Sequence, residues 1–451
     1  MGRLFGTDGV RGIANTELTC ELAMEIGRAA ASVLSDGSRH RPTFVVGSDT
    51  RASSDMLGSA LIAGLCSVGA DVIQLGVVPT PAVAYLVGKY KADAGVMISA
   101  SHNPAEFNGI KIFNGSGYKL ADMLEERIED IILDKSYTYK FPEGHEVGRI
   151  TYADKATKDY IRHITSTVHY SLDGMKVAVD CANGSASATA PELFKALGAE
   201  VHILSAKPNG TNINKNCGST HMEALAEYVV ANHLDCGVAF DGDADRCLCV
   251  DENGALIDGD MIMAICAVDL KKRGKLNNNT VVGTVMTNFG FGKFCDDNGI
   301  RFIATKVGDR YVLEEMLLED HSFGGEQSGH IIFRDFATTG DGQLTAVQLL
   351  SHLKTSGKKL SELASVMTRY PQTTVNLTIS KEGKLAFYTD SVVNAKIEEV
   401  KEALGRSGRI LVRPSGTEPL IRVMVEGMDT EQIEMLAKEV AEVITERLGN
   451  K

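Results

Sequence analysis

The chain predicts an α/β protein: three similar α/β domains with mixed or parallel sheets, then a smaller C-terminal α+β domain, arranged around a central cleft. Three observations carry this. A short β-branched strand runs into a small polar loop and a helix three times, at Phe44–Arg51, Val177–Gly184 and Val281–Asn288. Each helix closes on a glycine turn and a new strand, at Gly69–Ile73, Gly198–His202 and Gly299–Ile303, glycine being the residue that most readily ends a helix. Each unit then reaches one unusual loop: Ser99-Ala100-Ser101-His102-Asn103-Pro104, Asp241-Gly242-Asp243-Ala244-Asp245-Arg246 and Gly324-Gly325-Glu326-Gln327-Ser328-Gly329-His330. Alternating strands and helices imply layered sheets with largely parallel pairing.

After about Pro371 the pattern changes. Thr373–Ile379 alternates like a half-exposed strand, a charged helix spans 392–404, and strands at 410–412 and 421–425 precede an amphipathic helix over 430–448. The expected domains are 1–155, 156–255, 256–370 and 371–451, one loop of interest in each.

With 451 residues, 44% hydrophobic and 23% charged, the chain has an ordinary globular profile and room for about three domains of roughly 150 residues. A net charge of -13 argues against a nucleic-acid or anionic-membrane surface. Positive charge for an anionic substrate must then be gathered locally. Nine scattered cysteines without a Cys-x-x-Cys pair read as free thiols in a reducing, cytoplasmic compartment. Cys247-Leu248-Cys249 is read as a strand sending its two thiols to opposite faces. No apolar segment is long enough to span a bilayer.

The loops suggest chemistry. Ser101 ends an apolar run, on a loop shaped by Asn103-Pro104 and Asn108-Gly109, where open α/β sheets place their sites. A plain turn is the simpler alternative. Asp241, Asp243 and Asp245 repel one another unless solvated or bound to a hard cation, and Mg²⁺ suits an all-oxygen site working on phosphate. Arg246 beside them suggests a phosphate held in bidentate fashion. The alternatives are an exposed acidic turn, an EF-hand loop (disfavoured by Arg246 at its glycine position) and a phosphatase with Asp241 as nucleophile. Glu326, Ser328 and His330 alternate, so in an extended segment they would line one face and suit sugar hydroxyls; a tight hairpin with a solvated Glu326 is the alternative. Arg413-Pro414-Ser415-Gly416-Thr417, with Arg422 on the next strand, offers the inventory of an anion nest. Lys306 and Asp309-Arg310 form a further polar turn. Gly6–Gly12 is a glycine-rich loop bearing Arg11, without the lysine of a nucleotide-binding loop.

Together these residues resemble the α-D-phosphohexomutase family, whose members move phosphate between the C1 and C6 oxygens of a hexose. The resemblance covers nearly the whole chain and all four loops in order. It implies that Ser101 carries a phosphate and joins Asp241, Asp243 and Asp245 in holding one Mg²⁺. By the same resemblance Glu326 and Ser328 bind sugar hydroxyls, with Arg11, Lys306 and His330 also on the substrate. Arg413, Ser415, Gly416, Thr417 and Arg422 take the distal phosphate, and a hexose 1,6-bisphosphate serves as activator and intermediate. Lys111, His102, His330 and Lys306 are the acid/base candidates, and Arg246 joins the catalytic set. Gln327 points to the amino-sugar branch, hence glucosamine 6-phosphate and glucosamine 1-phosphate, the alternative being glucose or mannose phosphates. The partner is a small sugar phosphate, with neither nucleic acid nor membrane, and the protein is expected to be a monomer or homodimer.

Overall fold

The computed structural model describes residues 3–6, 8–35, 40–415 and 419–449. Two compact units emerge: residues 1–286 with 299–366, and residues 287–298 with 367–451.

The larger unit contains three sheets. The first has six strands in the order Val10–Ile13, Phe107–Asn114, Ala94–Ile98, Thr43–Ser48, Asp71–Val77 and Ile150–Tyr152. The second runs Leu256–Ile257, Cys247–Asp251, Cys236–Phe240, Lys176–Asp180 and Glu200–Leu204. The third runs Arg301–Thr305, Thr280–Thr284, Phe323–Gly325 and Ile331–Phe333. Each repeated strand–helix–strand unit pairs in parallel, as a crossover through a helix requires. A third strand joins each unit in parallel; the strand after it returns antiparallel, and the connection at that return is the unusual loop: 99–106, 241–246 and 326–330. A hairpin added to a parallel core is thus repeated three times.

The parallel strands are apolar on both faces because helices cover both. In the first sheet Phe44, Val46, Val96 and Ile98 pack under helices Cys20–Leu34 and Ala52–Ser67 through Ile26, Leu57, Leu61 and Leu65, all at most 3% exposed. At about 25 cal/mol per Å² of apolar area, each such side chain contributes roughly 1.5–3 kcal/mol. That rigid layer fixes where the Ser101 loop begins.

The smaller unit has a three-stranded antiparallel sheet, Gln372–Thr378, Leu420–Gly427 and Gly408–Pro414. Val423 and Val425 pack with Val393, Val400, Ile433, Val440 and Ile444 of helices Ser391–Leu404 and Thr430–Leu448. Asn288 secures residues 287–298 to this unit, donating to Tyr370 O at 3.0 Å and to Glu426 Oε1 at 3.1 Å.

Two local expectations are corrected. The Cys247 and Cys249 sulfurs lie 3.9 Å apart, so the thiols share one face of their strand, as residues two apart must. All nine cysteines are nevertheless free thiols. Residues 326–330 are a tight turn, not an extended segment: Glu326 N–H donates to His330 O at 3.0 Å and Gly329 N–H to Glu326 O at 2.9 Å. Gly329 sits at φ +90°, a conformation that favours glycine. Among the described residues no helix is long and apolar enough to cross a membrane.

Candidate active site

Ser101 is fully buried and adopts φ +52°. Its hydroxyl donates to Asp241 Oδ2 at 2.6 Å and lies 3.4 Å from His102 Nδ1. The chain can come this close because residue 242 is glycine; a Cβ there would stand 2.5 Å from Ser101 O. The hairpin loops of the first and second sheets therefore meet at one hydroxyl.

Asp241, Asp243 and Asp245 are all at most 3% exposed, and one ligand oxygen from each falls within 4.8 Å of the others. Oδ1 of Asp243 and Oδ1 of Asp245 are buried without a hydrogen-bond partner. Burial raises the Asp241 pKa well above the carboxylate range, and Asp245 and Asp243 push it further. Unpartnered carboxylate oxygens are costly inside a protein. All-oxygen donors, unpartnered lone pairs and excess negative charge together fit a hard divalent cation.

Lys111, from strand Phe107–Asn114, partly balances the triad: Nζ lies 2.8 Å from Asp243 Oδ2, 3.3 Å from Asp245 Oδ2 and 3.0 Å from Asp8 Oδ2. Burial works against its charge, but Asp243, Asp8 and Asp245 outweigh it and hold the ammonium well above its ordinary pKa. Asp8 continues to Lys119 Nζ at 2.6 Å, and Lys119 to Asp309 Oδ2 at 2.5 Å. Asp309 faces His330 Nε2 at 3.2 Å, and His330 Nδ1 lies 3.7 Å from Asp245. Lys111, Asp8, Lys119, Asp309, His330 and Asp245 thus close a ring of acidic and basic groups through residues of all three sheet regions, and His330 Nε2 also accepts from Gly340 N–H at 3.0 Å. Burial lowers the His330 pKa, but Asp309 and Asp245 outweigh it and raise the net value.

His102 differs. Burial, then Arg246 and Arg11, push its pKa down to about 4, so the imidazole is neutral near pH 7. Arg11 is ion-paired with Asp8 and reaches Asn103 Oδ1 at 3.5 Å. Arg246 Nε lies 3.9 Å from Asp245 Oδ1 and has no hydrogen-bond partner. Glu326 accepts from Gly308 N–H at 3.2 Å, and burial raises its pKa. Ser328 Oγ is buried and unpartnered. In the smaller unit, Arg413 and Arg422 stand opposite each other across an antiparallel pair. Burial and Arg422 lower the Arg413 pKa. Ser415 accepts Lys384 through its carbonyl.

Models of the phosphoglucomutase/phosphomannomutase family match in chain order: α/β/α domain I over 2–138, domain II over 158–254, domain III over 258–370 and the C-terminal domain over 375–443. A phosphoglucosamine mutase of Acetivibrio thermocellus is 56% identical over 449 residues, spanning all of both chains. The chain belongs to the α-D-phosphohexomutase family. Another phosphoglucosamine mutase, from Caldanaerobacter subterraneus subsp. tengcongensis, is 57% identical over the same length. The fold is shared with a phosphoglucomutase/phosphomannomutase family protein of Burkholderia thailandensis, with TM-score 0.83, 23% identity and 99% of each chain covered. It is shared too with an Aspergillus fumigatus N-acetylphosphoglucosamine mutase solved with GlcNAc-6P and magnesium, with TM-score 0.71, 17% identity and 99% and 96% covered.

As in the sequence reading of this phosphohexomutase, Ser101, His102, Lys111, the Asp triad, Arg246 and His330 come together. Lys306 is exposed, with Nζ 5.8 Å from the centroid of the Tyr311 ring. Gly416 and Thr417 lie outside the described residues. Sequence reasoning missed Asp8, Lys119, Asn214, Thr80 and the Asp49–Arg51 pair as parts of the centre. Thr80 donates to Asp243 Oδ2 at 2.5 Å. Asp8 and Arg51 sat in loops already singled out, and Asn214 in an asparagine-rich turn. Nothing local distinguished Thr80 or Lys119.

Proposed function

We propose that the enzyme interconverts glucosamine 6-phosphate and glucosamine 1-phosphate, with Ser101 as the phosphoryl carrier. The observation that carries this is the Ser101 hydroxyl held at 2.6 Å on Asp241, within a buried triad whose Asp243 and Asp245 each keep an unpartnered oxygen. Full-length identity of 54–57% to curated phosphoglucosamine mutases supports the same substrate. A phosphoryl group on Ser101 passes to the free C1 hydroxyl of glucosamine 6-phosphate, breaking the serine ester and forming glucosamine 1,6-bisphosphate. That intermediate turns end for end, its 6-phosphoryl group returns to Ser101, and glucosamine 1-phosphate leaves. Phosphoryl transfer depends mainly on positioning and charge neutralisation, and the buried centre excludes competing water.

Asp241, Asp243, Asp245 and the Ser101 phosphate would hold Mg²⁺, which when bound neutralises charge on the transferring group. Lys111, His330 and His102 are the proton-handling candidates; at neutral pH the dephosphorylated enzyme keeps His102 as a neutral acceptor. Arg246 and Arg11 would bind phosphate, Glu326, Ser328 and Lys306 the sugar. Arg413, Ser415, Gly416, Thr417 and Arg422 would hold whichever phosphate is not reacting. On this reading the functional parts divide as 1–155, 156–255, 256–370 and 371–451. The enzyme works in the cytoplasm as a monomer or homodimer, primed by a hexose 1,6-bisphosphate.

A coupled assay with glucosamine, glucose and mannose 6-phosphates, Mg²⁺ and hexose bisphosphate should favour the amino sugar. A clear preference for glucose or mannose phosphate would assign the enzyme to the other branch. Peptide mapping should find acid-stable phosphate on Ser101, and Ser101→Ala should abolish turnover while remaining folded. Acid-labile phosphate on Asp241 would replace this mechanism with a phosphatase's.

A further inference from the structure

Arg51 is an unusual residue to find wholly buried. It caps no helix through its side chain, and both it and its partner Asp49 have side chains with 0% exposure. All five of its N–H donors are used. Nε donates to Asp49 Oδ2 at 2.8 Å. Nη2 donates to Ser101 O at 2.9 Å and Asn103 O at 2.8 Å. Nη1 donates to Phe107 O at 3.0 Å and also to Pro104 O. Four carbonyls of a seven-residue stretch, 101–107, therefore converge on one planar cation.

The same pair holds the other side of Ser101. Its backbone N–H donates to Ser99 Oγ at 3.0 Å, and Ser99 Oγ donates to Asp49 Oδ2 at 2.6 Å. The N–H of Ser101 is thus tied to Asp49 through one hydroxyl, and its carbonyl directly to Arg51. A non-glycine residue at φ +52° is held against a steric cost, which persists only where the surroundings over-determine the backbone. With both flanking peptide groups fixed, rotation about the Cα–Cβ bond is the main freedom left to the hydroxyl.

The second sheet region supplies a matching contact. Asn214 Nδ2 donates to Ser101 O at 2.8 Å and to Asn103 O at 3.0 Å, the same two carbonyls that Arg51 Nη2 reaches. A buried guanidinium paired with a buried carboxylate adds little net charge, so its influence on a phosphoryl group at Ser101 is geometric.

We propose that Arg51, with Asn214 on the opposite side, is a positioning residue for the transfer: a two-sided clamp that sets the Ser101 oxygen against the Asp triad. This rests on reading Ser101 as the phosphoryl carrier. Lysine cannot replace the clamp, since a single ammonium lacks the planar fork that reaches several fixed acceptors at once.

The test uses the full-length enzyme, with Arg51→Lys and Asn214→Gly; glycine suits the φ of +58° at 214 and deletes only the amide side chain. Three quantities are measured: phosphate on Ser101 by intact mass, kcat per phosphorylated enzyme with KM for glucosamine 6-phosphate, and the thermal midpoint. Arg51→Lys is expected to lower kcat per phosphorylated enzyme about 100-fold, with KM within about threefold. Asn214→Gly is expected to lower it about tenfold by the same displacement. Variants that lose only thermal stability, with kcat per phosphorylated enzyme at the wild-type value, overturn the clamp. If Arg51→Lys does not fold, Asn214→Gly alone decides, by the same criterion. A wild-type enzyme that turns over without phosphate ever reaching Ser101 overturns the carrier reading, and this inference with it.

Discussion

Beside the Asp triad, which keeps an excess of negative charge, buried acidic and basic groups are set next to one another. Basic and acidic groups, Lys111, Asp8, Lys119, Asp309, His330 and Asp245, alternate round a buried ring, every neighbouring pair within 3.7 Å. In the C-terminal hairpin Arg413 and Arg422 are instead like charges at directly opposed positions of an antiparallel pair. The first arrangement is held together by its own charges. The second sets two like charges face to face, an unfavourable pairing in a sheet. Removing a cation should therefore have opposite consequences for folding in the two places.

Lys119→Met tests the first half most severely. It leaves Asp8 and Asp309 facing each other with burial resisting their charge, and breaking one partner of a buried network typically costs about 3–5 kcal/mol. Urea unfolding should show a loss of that order, partly recovered by adding Asp309→Asn. A loss under about 1 kcal/mol, the level of a surface pair, would mean that the ring contributes no cohesion.

Arg413→Ala tests the second half. KM for the sugar phosphate should rise about tenfold or more, as expected when a charge-assisted phosphate contact is lost. Folding stability should be unchanged or higher by up to about 1 kcal/mol, since opposed like charges in a sheet are destabilising. Unchanged affinity would remove the phosphate role. A clear drop in stability would show that Arg413 is built into the fold as Lys119 is.

The same contrast explains what the sequence disclosed. The sheets were legible because strand, helix and glycine stop repeat three times. The three loops were legible because triplets such as Asp241, Asp243 and Asp245 are rare in an apolar context. The hairpin geometry of Glu326–His330 was not, because alternation in sequence does not distinguish a strand from a glycine turn. The compensating half of the ring was also hidden. Lys119 is an unremarkable lysine in the chain and acquires meaning only where it meets Asp8 and Asp309, 111 residues before it and 190 after it. Arg51 lay in a loop noted for its shape, but its function depends on four carbonyls about 50 residues away. Local patterns reveal what a loop is; long-range partners decide what it holds.

The last contrast concerns His102, which sits beside the Asp triad but outside the ring. Burial, Arg246 and Arg11 place its pKa near 4 in the fold, against an ordinary 6.5. Between those values the unfolded chain binds a proton that the folded dephosphorylated enzyme does not, so unfolding takes up the proton. This contribution to stability is complete above about pH 6.5 and is lost as pH falls toward 4. Its slope approaches about 1.4 kcal/mol per pH unit within the window. His102→Gln should flatten the stability profile by up to that slope between pH 6.5 and 4 and leave it unchanged above pH 7. Phosphate on Ser101, whose hydroxyl lies 3.4 Å from Nδ1, favours the imidazolium and should shrink the difference. Equal profiles for wild type and variant in the dephosphorylated state would mean that His102 titrates normally. The centre would then tolerate an extra positive charge, and the contrast with the Arg413 hairpin would be one of degree.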